Sequence, residues 1–114
     1  MAYSEPYDAI DERTRDISRA ITSLREELEA IDWYNQRVNT TKDAELAGVM
    51  AHNRDEEIEH AAMTLEWLRR NMDKWDDELK TYLFTSGSLL DAEEGEEGGA
   101  AASSSSLSIG DMKK

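Results

Sequence analysis

The sequence predicts an all-α chain: an antiparallel two-helix hairpin plus a short third helix, brought to a four-helix arrangement by dimerisation. Three observations carry this. Ile10, Ile17, Ile21, Leu24, Leu28, Ile31 and Val38 recur at spacings of three, four and seven, the signature of one helix face with a heptad-like seam. Pro6 is the only proline, and only Gly48 falls inside a helical segment. The apolar share is 39% against 34% charged. Two long helices and a short one of that composition cannot build a full core alone, so oligomerisation or a metal is expected to complete the fold.

The elements follow in order. Residues 1–8 read as a leader and residues 9–85 as the helical domain. The first helix ends near Arg37. "NTTKD" is a polar turn whose Thr and Asp side chains suit the N-cap of the next helix. The second helix runs from about Ala44 to Arg70. "NMD" breaks it, with Asp73 as the expected N-cap of a third helix carrying Trp75, Leu79, Tyr82 and Leu83. After Phe84 the composition changes. Residues 86–106 read as a flexible linker, because "DAEEGEEGGAAASSSS" is acidic, small and unable to bury apolar surface. Apolar residues reappear in "LSIGDMKK", residues 107–114.

Charge and composition exclude several functions. With 26 acidic against 13 basic residues, the net charge is −13, which disfavours nucleic acid and anionic membranes and favours cations. There is no cysteine, so thiolate metal sites and cysteine nucleophiles are out, and any metal must be held by oxygen and imidazole. No apolar run approaches the ~20 residues of a membrane span. The start, "MAYSEPYDAIDE", has no apolar signal core, and a cytoplasmic location is expected.

The second helix carries two stripes. Ile58, Ala61, Ala62, Leu65, Leu68 and Met72 form an ordinary seam. Leu46, Met50, Asn53, Glu57, His60, Thr64 and Trp67 form another, apolar at its ends and polar in its middle. Glu57 and His60 are three apart and share a face, as in the Glu-x-x-His pairs of four-helix di-metal proteins. In so acidic a chain an acid three before a histidine arises by chance about one time in four. A solvated acidic face is therefore the bland alternative. Against it, Glu57 lies in line with apolar residues, and a buried carboxylate is costly unless paired or metal-bound. Its one cationic neighbour at helical spacing besides His60 is Arg54, which would have to turn inward. On the first helix Glu27 borders the buried face, either as a ligand or as a seam-flanking glutamate. One Glu and one Glu-x-x-His make half a di-metal site, and a two-fold mate would supply the rest.

"EELEAIDWY", "HNRDEEIEHAAMTLEWLRR" and "TYLF" together resemble the encapsulated ferritin-like proteins over roughly residues 20–85. "LSIGDMKK" resembles the C-terminal peptide that loads cargo into encapsulin shells. The resemblance implies half-length ferritin subunits forming a ring-shaped decamer of dimers, with a di-iron ferroxidase centre at each dimer interface. It implies Glu27, Glu57 and His60 from each of two chains as ligands of two iron ions, with Tyr34 beside the centre. It implies Glu26, Glu29 and Trp33 as a metal-uptake site, and His52, Glu56 and Glu59 as weaker outer contacts. The function expected from it is oxidation of Fe(II) by oxygen, feeding mineral storage inside a shell bound through residues 107–114. The rivals are a rubrerythrin-like di-metal peroxidase and a non-enzymatic helical dimerisation module.

Overall fold

The computed structural model describes residues 3–95. They are all-helical, with no strand among them. A short 3-10 turn, Tyr7–Ala9, precedes α1 (Glu12–Thr40), α2 (Ala44–Asn71) and α3 (Asp73–Tyr82). The chain divides into two compact units, one up to Leu68 and one from Arg69.

In the first unit the leader is not loose. Arg15 stacks 3.7 Å from the Tyr7 ring centroid and donates to the Tyr7 carbonyl at 2.6 Å, while Tyr3 meets Tyr7 edge-on at 5.4 Å. Asp11 caps α1 by accepting the Thr14 N–H at 2.8 Å, which holds its carboxyl below the usual range. Helix α1 then runs past Arg37 to Thr40. The "NTTKD" turn behaves as its residues require: Asp43 Oδ1 accepts from the N–H groups of Glu45 at 2.9 Å and Leu46 at 3.1 Å, starting α2.

Helices α1 and α2 form an antiparallel hairpin, tied across by Arg54 to Asn35 at 3.0 Å and Thr64 to Glu27 at 3.4 Å. Its seam differs from the one the apolar periodicity predicts. On α1 the shielded positions include Ile17, Leu24, Glu27, Ile31, Tyr34 and Val38, whereas Ile21 and Leu28 are 40% and 54% exposed. On α2 they include Ala47, Met50, Arg54, Glu57, Ala61, Thr64 and Leu68, whereas Ile58 and Ala62 face out. The mixed stripe is split: Met50, Glu57 and Thr64 turn inward, and Leu46, His60 and Trp67 lie outside. The physical reason is width. Two helices can cover only one narrow seam between them, so the wider apolar arc of each leaves its flank in solvent. Ala61 and Leu68 are the buried apolar residues among those described.

The second unit holds the end of α2 and all of α3. Asp73 is not the N-cap. Met72 takes that place with extended backbone (φ −141°, ψ 110°) and no side-chain cap, and Asp73 starts the first turn, where a carboxylate favours the helix dipole. Asp76 instead organises this unit, bonded to Arg69 and to Lys80 at 2.9 Å, with a second pair from Lys74 to Glu78 at 2.6 Å. Beyond α3 the linker expected over 86–106 begins differently, since residues 89–95 are helical. Ser88 caps that turn, its Oγ accepting the Asp91 N–H at 3.2 Å. The rest of the expected linker and the 107–114 peptide lie outside the described residues.

Candidate metal centre

Glu27 occupies a seam position, halfway between Leu24 and Ile31, where an apolar residue would ordinarily sit. Its Oε2 accepts from the Thr64 hydroxyl at 3.4 Å, while its Oε1 is buried and has no hydrogen-bond partner. A buried carboxylate oxygen left unpaired costs free energy that a bound cation removes. The single Thr64 hydroxyl proton is shared between Glu27 Oε2 and the His60 carbonyl, the nearer acceptor at 3.0 Å.

Glu57 and His60 adjoin on α2. His60 Nδ1 lies 3.6 Å from Glu57 Oε1, with the two side chains 46% and 28% exposed. Glu57 thus lines the hairpin seam, while His60 stands at its rim. The cross-helix pairing of Glu27 with Thr64 puts Glu27 roughly one turn, ~6 Å, from His60 along the hairpin axis. Within a single chain, no three His, Cys, Asp or Glu groups converge tightly enough for a metal among the described residues. The donor set fits a hard or borderline cation: carboxylate oxygens and imidazole, without thiolate.

Of the remaining candidates, all but Tyr34 lie on exposed surfaces. Glu26, Glu29 and Trp33 follow each other at i+3 and i+7 on an exposed face of α1, with Trp33 50% exposed. His52, Glu56 and Glu59 form an exposed row on α2. Tyr34 is half-buried in the seam, with the Arg37 guanidinium 5.6 Å from its ring and 6.0 Å from that of Trp33.

Arg54 answers the question its spacing poses. It is shielded (26% exposed), yet it does not bond Glu57; it reaches Asn35 Oδ1 at 3.0 Å and Asp55 Oδ1 at 3.1 Å. Thr64, Asn35 and Arg37 are the site-bordering residues that sequence reasoning passed over. Thr64 carried a signal, being four after His60 in the mixed stripe. Asn35 carried none, because only the hairpin register brings it to Arg54.

The EncFtn-like family model matches residues 2–86 of this chain. The chain is 51% identical over 107 residues to the "Ferritin-like protein" of Thermotoga maritima, covering 94% of each chain. It is 52% identical over 120 residues to the "Encapsulated ferritin-like protein" of Rhodospirillum rubrum, covering 96% of this chain and 86% of that one. The crystal structure of protein ne0167 from Nitrosomonas europaea superposes with a TM-score of 0.76 at 60% identity, over 78% of this chain and 99% of the other.

Proposed function

The chain belongs to the EncFtn-like family, and we propose that it is a ferroxidase, oxidising Fe(II) to Fe(III) with dioxygen at a two-iron centre shared by two copies. Iron is the substrate here. Glu27, Glu57 and His60 of one copy hold half of the centre, and the same three residues of the other copy complete it. The observation that carries this reading is Glu27, a carboxylate drawn into an apolar seam with its Oε1 buried and without a partner. An apolar residue there would stabilise the isolated hairpin better, so the carboxylate is explained by what it binds.

Each residue has a part. Glu27 and Glu57 supply the negative charge that draws Fe(II) and favours Fe(III) more strongly, since Coulombic attraction grows with ionic charge. His60 supplies the imidazole. It stands 3.6 Å from Glu57 Oε1, close enough for both to meet one cation after small side-chain rotations. Thr64 orients Glu27 through its hydroxyl. Tyr34 flanks the centre in the seam. Two Fe(II) yield one electron each, and with two protons from solvent these would reduce one dioxygen to hydrogen peroxide. Glu26, Glu29 and Trp33 form an exposed acidic approach that collects Fe(II) from solution, and His52, Glu56 and Glu59 bind metal more weakly at the outside.

Exposed apolar residues support the pairing of copies. Ile21, Leu28, Leu46, Val49, Ile58, Met63 and Trp67 are all exposed on the hairpin, an apolar cover awaiting a second hairpin. Dimers joined into a ring have no closed interior, so storage depends on an enclosing shell. Residues 107–114, with Leu107, Ile109 and Met112, supply the docking peptide for the encapsulin wall.

Aerobic addition of Fe(II) to wild type, Glu57→Ala and His60→Ala, followed by ferric absorbance, tests the assignment. The expected result is a loss of initial rate in both variants of at least about tenfold, equivalent to roughly 1.4 kcal/mol of transition-state stabilisation. Equal rates in all three proteins would overturn it.

A further inference from the structure

Besides His60, Arg54 is the cationic side chain at helical spacing from Glu57, and so a rival there to a metal. Arg54 lies three residues earlier on the same helix, on the same inward face, with both side chains about one-quarter exposed. Arg and Glu at that spacing on a helix are neighbours able to pair, and shielding from water strengthens such a pair. Here the pair is not made. The Arg54 Nη1 donates to Asn35 Oδ1 of α1 at 3.0 Å, and its Nε donates to Asp55 Oδ1 at 3.1 Å. Glu57 is left facing His60 Nδ1 at 3.6 Å.

We propose that Asn35 is a positioning residue that holds the Arg54 guanidinium away from Glu57, keeping that carboxylate open to a divalent cation. Three features support it. Asn35 is neutral, so it accepts a hydrogen bond from Arg54 without adding negative charge beside the seam. It reaches across the hairpin from α1, so the diversion works only when the hairpin is closed. Asp55 accepts a hydrogen bond from the Nε–H, so the guanidinium is fixed at two points rather than one. Without Asn35 the Nη1 group loses its acceptor, and Glu57 is the carboxylate at helical spacing on the same face. An arginine bound there would have to be displaced before any dication could bind.

The inference rests on Glu57 being a metal ligand, and the experiment separates the two. Co(II), which is stable in air, is titrated into the full-length chain by calorimetry and by its visible absorption, with helicity and assembly size measured alongside. Asn35→Ala is expected to bind Co(II) at least about tenfold more weakly. Asn35→Asp, which still offers Arg54 an oxygen and adds a negative charge beside the seam, is expected to bind at least as tightly as wild type. Asn35→Ala combined with Arg54→Gln is expected to regain wild-type affinity within about threefold, because the competitor is gone. A purely structural role for the Asn35–Arg54 contact predicts the opposite, with the double variant no better than the single. Wild-type binding by Asn35→Ala, or failure of Arg54→Gln to restore it, would sink the inference. Arg54→Gln alone gives a further check: a tenfold loss there also overturns it. If Glu57→Ala itself binds Co(II) normally, the proposed centre fails and the inference falls with it. If Glu57→Ala loses binding while Asn35→Ala does not, only the inference fails.

Discussion

Glu27 is a single residue placed against the preference of the fold around it. It sits where the hairpin periodicity calls for an apolar side chain, and it keeps a buried oxygen unpaired. Replacing such a group with a well-packed hydrophobe is often neutral or stabilising. Glu27→Leu is therefore expected to raise the thermal midpoint of the metal-free protein, by roughly 1 kcal/mol of stability. It is also expected to abolish any metal-induced rise in that midpoint. Differential scanning calorimetry with and without Co(II) reads both; a variant still stabilised by Co(II) as much as wild type would contradict the role given to Glu27. The sequence pointed to Glu27 as a residue bordering the seam. That it lies within the seam, with Thr64 as its partner, depends on how the two helices are rotated against each other.

At the scale of elements, the hairpin and the short third helix were both legible. The punctuation is local: Asp11 and Asp43 cap the helices that follow them, and Met72 breaks the chain between α2 and α3. Helix α3 adds an electrostatic device. Asp76 bonds Lys80 and Arg69, which hold its carboxyl below the ordinary value of 3.8. A depressed carboxylate contributes stability that is present above its ordinary pKa and lost as pH falls through the lowered folded value. Asp76→Asn should therefore be less stable than wild type near neutrality, and the gap should close as the pH falls from the ordinary carboxylate value through the lowered folded one. Chemical denaturation of both proteins along a pH series checks this; a gap that stays constant into acid would argue against it. What was not legible was the start of the acidic tail. Residues 89–95 are helical because Ser88 offers a cap and Leu89, Leu90 and Ala92 are good helix formers, a local preference hidden by the Gly-rich and Ser-rich composition that follows.

At the scale of the whole molecule, the apolar residues outnumber the places to bury them. The described residues bury two apolar side chains, Ala61 and Leu68, while Ile21, Leu28, Leu46, Val49, Ile58, Met63 and Trp67 remain exposed on the hairpin. An assembly that covers them has a stability tied to chain concentration. Raising the concentration tenfold is expected to raise the unfolding midpoint and to shift sedimentation toward larger species. A midpoint independent of concentration, with a monomer throughout, would remove the two-copy centre. A separate test concerns the tail. Deleting residues 107–114 is expected to end co-purification with a co-expressed encapsulin shell while leaving Fe(II) oxidation unchanged; retained co-purification would refute the docking role.

The sequence alone determined the helices, their approximate ends, the exclusion of thiolate chemistry, and the set of residue types able to hold a cation. These follow from periodicity, capping chemistry and composition, which are properties of short stretches of chain. Tertiary structure decided the rest: which apolar stripe is the seam, that Glu27 and Glu57 enter it while Leu28 and Ile58 do not, and that Arg54 turns to Asn35 rather than to Glu57. The reason is geometric. A helix with apolar residues over a wide arc presents several equivalent seams, and only the rotation and register of its partner helix select one of them.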